Sequence, residues 1–316
     1  MQIGFCHTVT GASHVERGTV CQDYSAYQIT DNYSIAVVAD GHGSKKHFRS
    51  DLGSKFAVEA ALETIEEFYK AEGFENAILA DDEKIIKMIE KHIIARWDEK
   101  IQADIRKNPV TYKEKEPFTD EEFKEFTTAT FYGTTLIVAV MNELFTFGIQ
   151  IGDGSLVAIF EDAEAEMPIM YQESAPANIT ASMCNSNAID LFNSFFIDDR
   201  YPIAVFVSTD GLYTSFNSED DFLDYHTIIA SKLNDLDNFD ETIVKNLTKR
   251  ANFGTQDDIS LACVFDEDMV SESAELLAEA VANNKERAKS RKAEALANLE
   301  KQRLKNAMRK NGDEEF

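Results

Sequence analysis

Four apolar runs in this chain meet an aspartate at one end, and that repetition limits the fold more than any other feature. Residues 33–46 read YSIAVVADGHGSKK, where Ile35-Ala36-Val37-Val38-Ala39 has the composition and length of a short buried strand. The run ends on Asp40-Gly41-His42-Gly43. A carboxylate there sits at the rim of the core, and the glycines let the backbone turn sharply and a ligand approach closely. Residues 203–210, IAVFVSTD, end on Asp210-Gly211, and residues 144–153, LFTFGIQIGD, lead into Gly152-Asp153-Gly154. In 254–265, GTQDDISLACVF, Asp257 and Asp258 stand at the entrance of the run. Asp23, near a further strand, adds a fifth position. One Asp-Gly step is turn punctuation. Five aspartates at the mouths of core strands look like a site for hard divalent cations, which prefer oxygen ligands.

The rest of the chain supplies what must cover such strands. Residues 2–9 and 23–30 read as strands, the second joined through Asp31-Asn32 to the strand before Asp40 as a hairpin. The segment between them, 10–22, is polar and reads as a loop. Residues 50–71 and 81–105 carry apolar side chains at helical spacing, Ile85, Ile89, Ile93 and Trp97 at steps of four. A short acidic helix over 119–126 opens on Thr119 with Glu122 three residues on, a capping box. Strands follow at 134–141, 144–151 and 156–161. Residues 162–201 are irregular and rich in Ser, Asn and Pro, with a helix at 188–195; they read as a flap. Helices at 219–233 and 240–252 precede the last strand, 259–265. Hairpins point to antiparallel sheets and helix pairs must cover them, so the expected class is α+β: two mainly antiparallel sheets packed together, with helices outside.

Charge divides the chain. The net charge of −26 disfavours non-specific binding to nucleic acid or to an anionic membrane. Residues 271–316 carry nine acidic and ten basic side chains, whereas 1–270 carry 48 and 21. A boundary is therefore expected near 270: a domain over 1–268, with its flap at about 162–201, and a helical tail over 269–316. Residues 271–309 of the tail contain no proline or glycine and are rich in Ala, Glu, Lys, Arg and Leu, which predicts a long exposed helix able to bind a protein partner. Four cysteines, Cys6, Cys21, Cys184 and Cys263, form no CxxC pair and suit a reducing cytosol. No segment reaches the roughly 18 apolar residues of a membrane helix. The expectation is a soluble, cytoplasmic protein.

The order and spacing of QDYSAY, VVADGHG, YGTTLIVAV, IQIGDGS, VSTDGLY and TQDDISL resemble the PP2C-type, metal-dependent serine/threonine protein phosphatases, most closely their bacterial members. No one motif is specific; six in order are. The resemblance runs from about residue 2 to 265 and leaves the tail outside it. It implies an αββα sandwich with two Mn²⁺ or Mg²⁺ ions, and a third, weaker one, at one end of the sheets. Carried over by position, Asp40 bridges two ions, the Gly41 carbonyl binds one, and Asp210 and Asp257 hold the other. Asp23 is a ligand directly or through water, Asp153 belongs to the third site, and His42 is the general acid. The implied activity is hydrolysis of phosphoserine and phosphothreonine in a phosphoprotein by a metal-bridging water or hydroxide, opposite a cognate kinase. An alternative keeps the fold but catalyses weakly, as a regulatory or scaffold protein acting through its tail.

Three departures from the family pattern bear on the site. Many relatives place a phosphate-gripping arginine five residues before the first aspartate; here that position is Gly18, with Arg17 one residue further back. Arg17 is the leading phosphate ligand, with His14, Lys45, Lys46 and Arg49 as others. The first motif is Gln22-Asp23 rather than Glu-Asp, and the last is Asp257-Asp258 rather than Asp-Asn. Asp258 either adds charge behind the ligands or ends a turn. His7, His47, His92 and His226, outside any motif, read as structural or exposed, and the acidic 162–166 and 219–221 clusters as solvated faces.

Overall fold

A computed structural model describes residues 1–169, 180–235 and 239–312. Among them the chain runs β1 (Gln2–Val9), α1 (Ala12–Arg17), β2 (Asp23–Ile29), β3 (Ser34–Asp40), α2 (Ser50–Lys70), α3 (Phe74–Ala80), α4 (Asp82–Lys107), α5 (Tyr112–Lys115), α6 (Asp120–Lys124) and α7 (Thr128–Phe131). It continues as β4 (Leu136–Met141), β5 (Thr146–Ile151), β6 (Ser155–Phe160), β7 (Ala165–Glu166), β8 (Asn193–Ile197), β9 (Pro202–Ser208), α8 (Asp210–Tyr213), α9 (Glu219–Ala230), α10 (Phe239–Phe253), β10 (Ile259–Asp266), α11 (Glu267–Glu272) and α12 (Ala274–Gly312).

The strands form two five-stranded antiparallel sheets, ordered β1-β10-β9-β6-β7 and β2-β3-β4-β5-β8. This is the expected two-sheet sandwich with helices outside. The strands with unbroken apolar sequence are those buried on both faces. In β3, Ala36 and Val38 point between the sheets, where they meet Ile137, Leu156, Val207 and Ala262. Ile35, Val37 and Ala39 point the other way, into the layer of α2 and α4. Phe206 and Leu261 do the same toward α9 and α10. Three stacked apolar layers thus hold the strand ends rigidly.

Several local expectations are corrected. The loop over 10–22 contains α1, and α3 fills the gap between the two long helices. The helix expected at 188–195 is one 3-10 turn, Ala188–Asp190, followed by β8, which pairs with β5 along the edge of a sheet. Within 180–201 the segment Asn193–Ile197 is therefore sheet and not part of a loose flap; the flap's middle, 170–179, lies outside the described residues. The tail is not exposed at its start. Val270 and Leu277 are fully buried in the apolar layer of α9 and α10. Arg291 is within 3.0 Å of Asp220, Asp221 and Asp224 on α9, so the 219–221 cluster, exposed at Glu219 and Asp220 as expected, also supplies counter-charge for the tail. None of the described helices is long and apolar enough to cross a membrane.

His226 sits entirely inside this packing, its ring against Phe206 and Phe222 and its Nδ1 2.8 Å from the Phe222 carbonyl oxygen. Burial pushes its pKa down to about 4. The folded state therefore resists a proton that the unfolded chain accepts near pH 6.5. Stability from this group is complete above that value and falls by up to ~3 kcal/mol as pH drops to 4. His226→Phe should flatten this acid limb of the stability curve. Denaturation midpoints between pH 7 and pH 4 with the same slope in both proteins would refute it.

Candidate active site

The Asp40 loop is locked by backbone contacts before any side chain acts. The Asp40 carbonyl oxygen accepts from the Thr134 hydroxyl (2.8 Å) and the Thr135 N–H (2.8 Å), and the Asp40 N–H donates to the Thr135 hydroxyl (3.0 Å). The Gly41 N–H donates to the Gln22 carbonyl oxygen, and a Cβ at Gly41 would stand 2.5 Å from the Ser50 carbonyl oxygen, so only glycine fits. Gly43 has φ +60° and donates to the Ser50 hydroxyl, which in turn donates to the Gln22 side-chain oxygen (2.8 Å). Gln22 thus ties the loop to the start of α2, which gives the Gln-Asp form of the first motif a structural role.

Four of the expected aspartates come to one place. Asp40, Asp153, Asp210 and Asp257 line a cavity of about 280 Å³ together with Gly41, His42, Gly43, His14, Arg17 and Thr180. Asp210 reaches it from the first turn of α8, where a Cβ at Gly211 would stand 2.1 Å from the Asp258 carbonyl oxygen. Asp153 reaches it from the β5–β6 turn, which Gln150 staples by donating to the Gly152 and Gly154 carbonyl oxygens. The Thr180 hydroxyl donates to Asp153 at 2.7 Å. Arg17 ends α1, exposed, and among the described residues it makes no ion pair.

Asp23 is not on the cavity wall. It lies opposite Asp40 in the β2–β3 register, buried, and accepts from the Thr209 hydroxyl at 2.7 Å. Asp258 is buried too, where it accepts from the N–H groups of Gly11 (2.8 Å) and Gln22 (2.7 Å) and pairs with His14 Nδ1 (2.8 Å). It pins α1 and the first motif to the last one. Arg49 does not line this cavity: it is buried between Glu114, Asp104 and Tyr132. His47 is structural, bonded to the Thr130 carbonyl oxygen with its ring 5.0 Å from that of His42. The cysteines are free thiols.

Electrostatically the cavity is short of positive charge. Burial, then the charges of Asp23, Asp210 and Asp257, hold the Asp40 carboxyl well above the usual range. Burial and the charge of Asp153 push Asp210 up to about 6, and burial raises Asp23. Burial also lowers His42 to about 4, helped by His47 and Lys46, so its imidazole is neutral at neutral pH. Among the described residues no group of three or more His, Cys, Asp or Glu side chains is already arranged to hold a metal ion. The donor set still suits one: only oxygens come from the four aspartates and the Gly41 carbonyl, as hard cations require.

Sequence reasoning weighed His14 as a phosphate ligand, and beside His7 and the cysteines for a zinc site whose spacing fits no known metal pattern, and it missed Thr180, Thr134, Thr135 and Thr209. The Ser-Thr-Asp at 208–210 was a usable signal, since Ser and Thr before an acidic residue mark helix starts.

The family model described as Protein phosphatase 2C matches residues 10–248. No curated protein matches the chain. Among solved structures, a bacterial serine phosphatase superposes with TM-score 0.54 at 14% identity, covering 84% of this chain and 98% of its own. The S. agalactiae serine/threonine phosphatase gives 0.51 at 14%, covering 84% and 99%. Stp1 from Staphylococcus aureus gives 0.51 at 15%, covering 84% and 96%. At these identities the likeness is one of fold.

Proposed function

The chain belongs to the protein phosphatase 2C family, and from that premise we propose that it is a metal-dependent phosphatase acting on phosphoserine and phosphothreonine in proteins. The observation that carries this reading is the meeting of Asp40, Asp153, Asp210 and Asp257 in one cavity with Arg17 and His42. Asp40, the Gly41 carbonyl, Asp210 and Asp257 would hold the two ions, with the Gly41 carbonyl serving one of them and Asp153 a third, weaker site. Mn²⁺ or Mg²⁺ bound there supplies charge neutralisation for the phosphate dianion and lowers the pKa of water toward neutrality. Asp23 acts from behind, through Thr209 and the buried backbone, and not as a direct ligand.

Arg17 lines the cavity, makes no ion pair among the described residues, and grips phosphate oxygens with its planar fork. His42, neutral when the site is empty of substrate, gains a reason to protonate when a dianion lies beside it. It then donates to the leaving serine or threonine oxygen. The catalytic unit is proposed as residues 1–268, with the tail from 269 docked on it and its distal part available to a protein partner. Four free thiols fit a cytoplasmic setting, where a cognate kinase would supply the substrate.

The test is hydrolysis of para-nitrophenyl phosphate and a phosphothreonine peptide with Mn²⁺, with Mg²⁺ and with EDTA. Turnover should need metal, and Asp210→Asn should lower it about a hundredfold or more, the scale of losing one preorganised charge. A folded, metal-bound protein inert on both substrates would instead favour the regulatory or scaffold reading. Wild-type turnover in Asp210→Asn would remove Asp210 from the site.

A further inference from the structure

We propose that His14 is a nitrogen ligand in this centre, giving one metal position a mixed imidazole–carboxylate donor set and a preference for Mn²⁺ over Mg²⁺. The inference deepens the proposed function and rests on it.

The argument begins with Asp258. Its buried carboxylate can only accept, so His14 Nδ1, at 2.8 Å, must carry a hydrogen and donate. That fixes the tautomer: in the neutral ring the Nε2 lone pair is the free acceptor. Nε2 lies 3.7 Å from Asp257 Oδ1, and both residues line the cavity. A lone pair and a carboxylate oxygen repel each other unless a cation completes the pair. Asp257 Oδ1 already accepts the Asp258 N–H at 2.9 Å, which holds that carboxylate in place.

The arrangement is that of a metal-binding histidine, whose second ring nitrogen donates to a carboxylate that sets ring orientation and strengthens the ligand. Asp258 is the anchor, itself fixed by the Gly11 and Gln22 N–H groups. The departure from Asp-Asn to Asp257-Asp258 thereby acquires a purpose: an asparagine could not offer His14 a charged acceptor. Imidazole suits Mn²⁺ better than Mg²⁺, which prefers oxygen ligands and retained waters.

Electron spin-echo modulation of the Mn²⁺-loaded full chain tests this directly, because a coordinated imidazole imprints ¹⁴N modulation on the manganese signal. The wild type should show it. His14→Asn keeps an amide N–H for Asp258 and removes Nε2; it should lose the modulation and bind Mn²⁺ about ten- to a hundredfold more weakly, with a smaller change for Mg²⁺. His42→Asn should keep the modulation. Mn²⁺ bound without ¹⁴N modulation in the wild type overturns the His14 assignment and leaves the phosphatase reading standing. Modulation lost in His42→Asn and kept in His14→Asn does the same. Absence of Mn²⁺ binding overturns both.

Discussion

Replacing Asp40 by asparagine is expected to abolish metal-dependent turnover and, in metal-free protein, to raise thermal stability. The two effects share one cause. Asp40 is half-buried beside Asp23, Asp210 and Asp257, and its carboxyl pKa is raised by desolvation and by those charges. A raised carboxyl contributes stability at low pH that is lost as pH rises through the folded-state pKa. Near pH 8 the metal-free wild type therefore carries an uncompensated, half-buried charge, and asparagine removes it. Relief should be worth about 1–3 kcal/mol, the usual scale for an unsatisfied buried polar group. Turnover should fall about a hundred- to a thousandfold or further. Calorimetric scans at pH 6 and pH 8, with and without Mn²⁺, decide the matter. The wild type should gain stability from metal and from the lower pH, and Asp40→Asn from neither to the same extent. A less stable metal-free Asp40→Asn would mean that the carboxylate is compensated by something other than a cation.

Arg49→Met is expected to destabilise the fold by about 3–5 kcal/mol, the range for breaking a buried ion pair from one side. Arg49 donates through Nε to Glu114 (2.8 Å), and through Nη1 to Tyr132 (2.9 Å) and the Asn108 carbonyl oxygen (2.7 Å). Burial opposes the charge, and the bonds to Glu114 and Tyr132 more than offset it. The same bond holds Glu114 down to about 2. Methionine keeps the stem but leaves Glu114 and Asp104 facing each other. The residue also joins the start of α2, next to the Asp40 loop, to the segment after α4. Urea denaturation read by Trp97 fluorescence reports on this directly. Trp97 is the chain's one tryptophan and donates to the Gly53 carbonyl oxygen inside α2. A loss under about 1 kcal/mol would show that the clamp is solvated and leave Arg49 open to a role at the phosphate.

Where sequence reading succeeded and where it failed follows from the range of the interactions involved. Apolar runs doubly buried in the sandwich are legible because every residue in them is apolar, whichever face it takes. The Thr119–Glu122 capping box was legible because both bonds close within three residues. Residues 188–195 misled because a short run of mixed polarity becomes β8 only by pairing with β5, some 45 positions earlier. The tail misled because an alanine-rich stripe is weak by itself, yet Leu277 finds an apolar pocket and Arg291 finds three aspartates on α9.

The candidate site divides in the same way. Asp40, Asp153, Asp210 and Asp257 could be named from sequence, since each is placed by the strand or turn beside it, and strands that share a sheet end bring their mouths together. The sequence alone thus determined the apolar core strands, their carboxylate-bearing ends and the family the chain belongs to. Tertiary structure decided which charged groups are buried and what faces them. Asp23 turned inward onto Thr209, Arg49 was taken up by Glu114 and Tyr132, and Asp258 met His14 across 244 positions of chain. A charge acquires its role from desolvation and from its nearest partner, and for these residues both exist only once the two sheets have closed on each other.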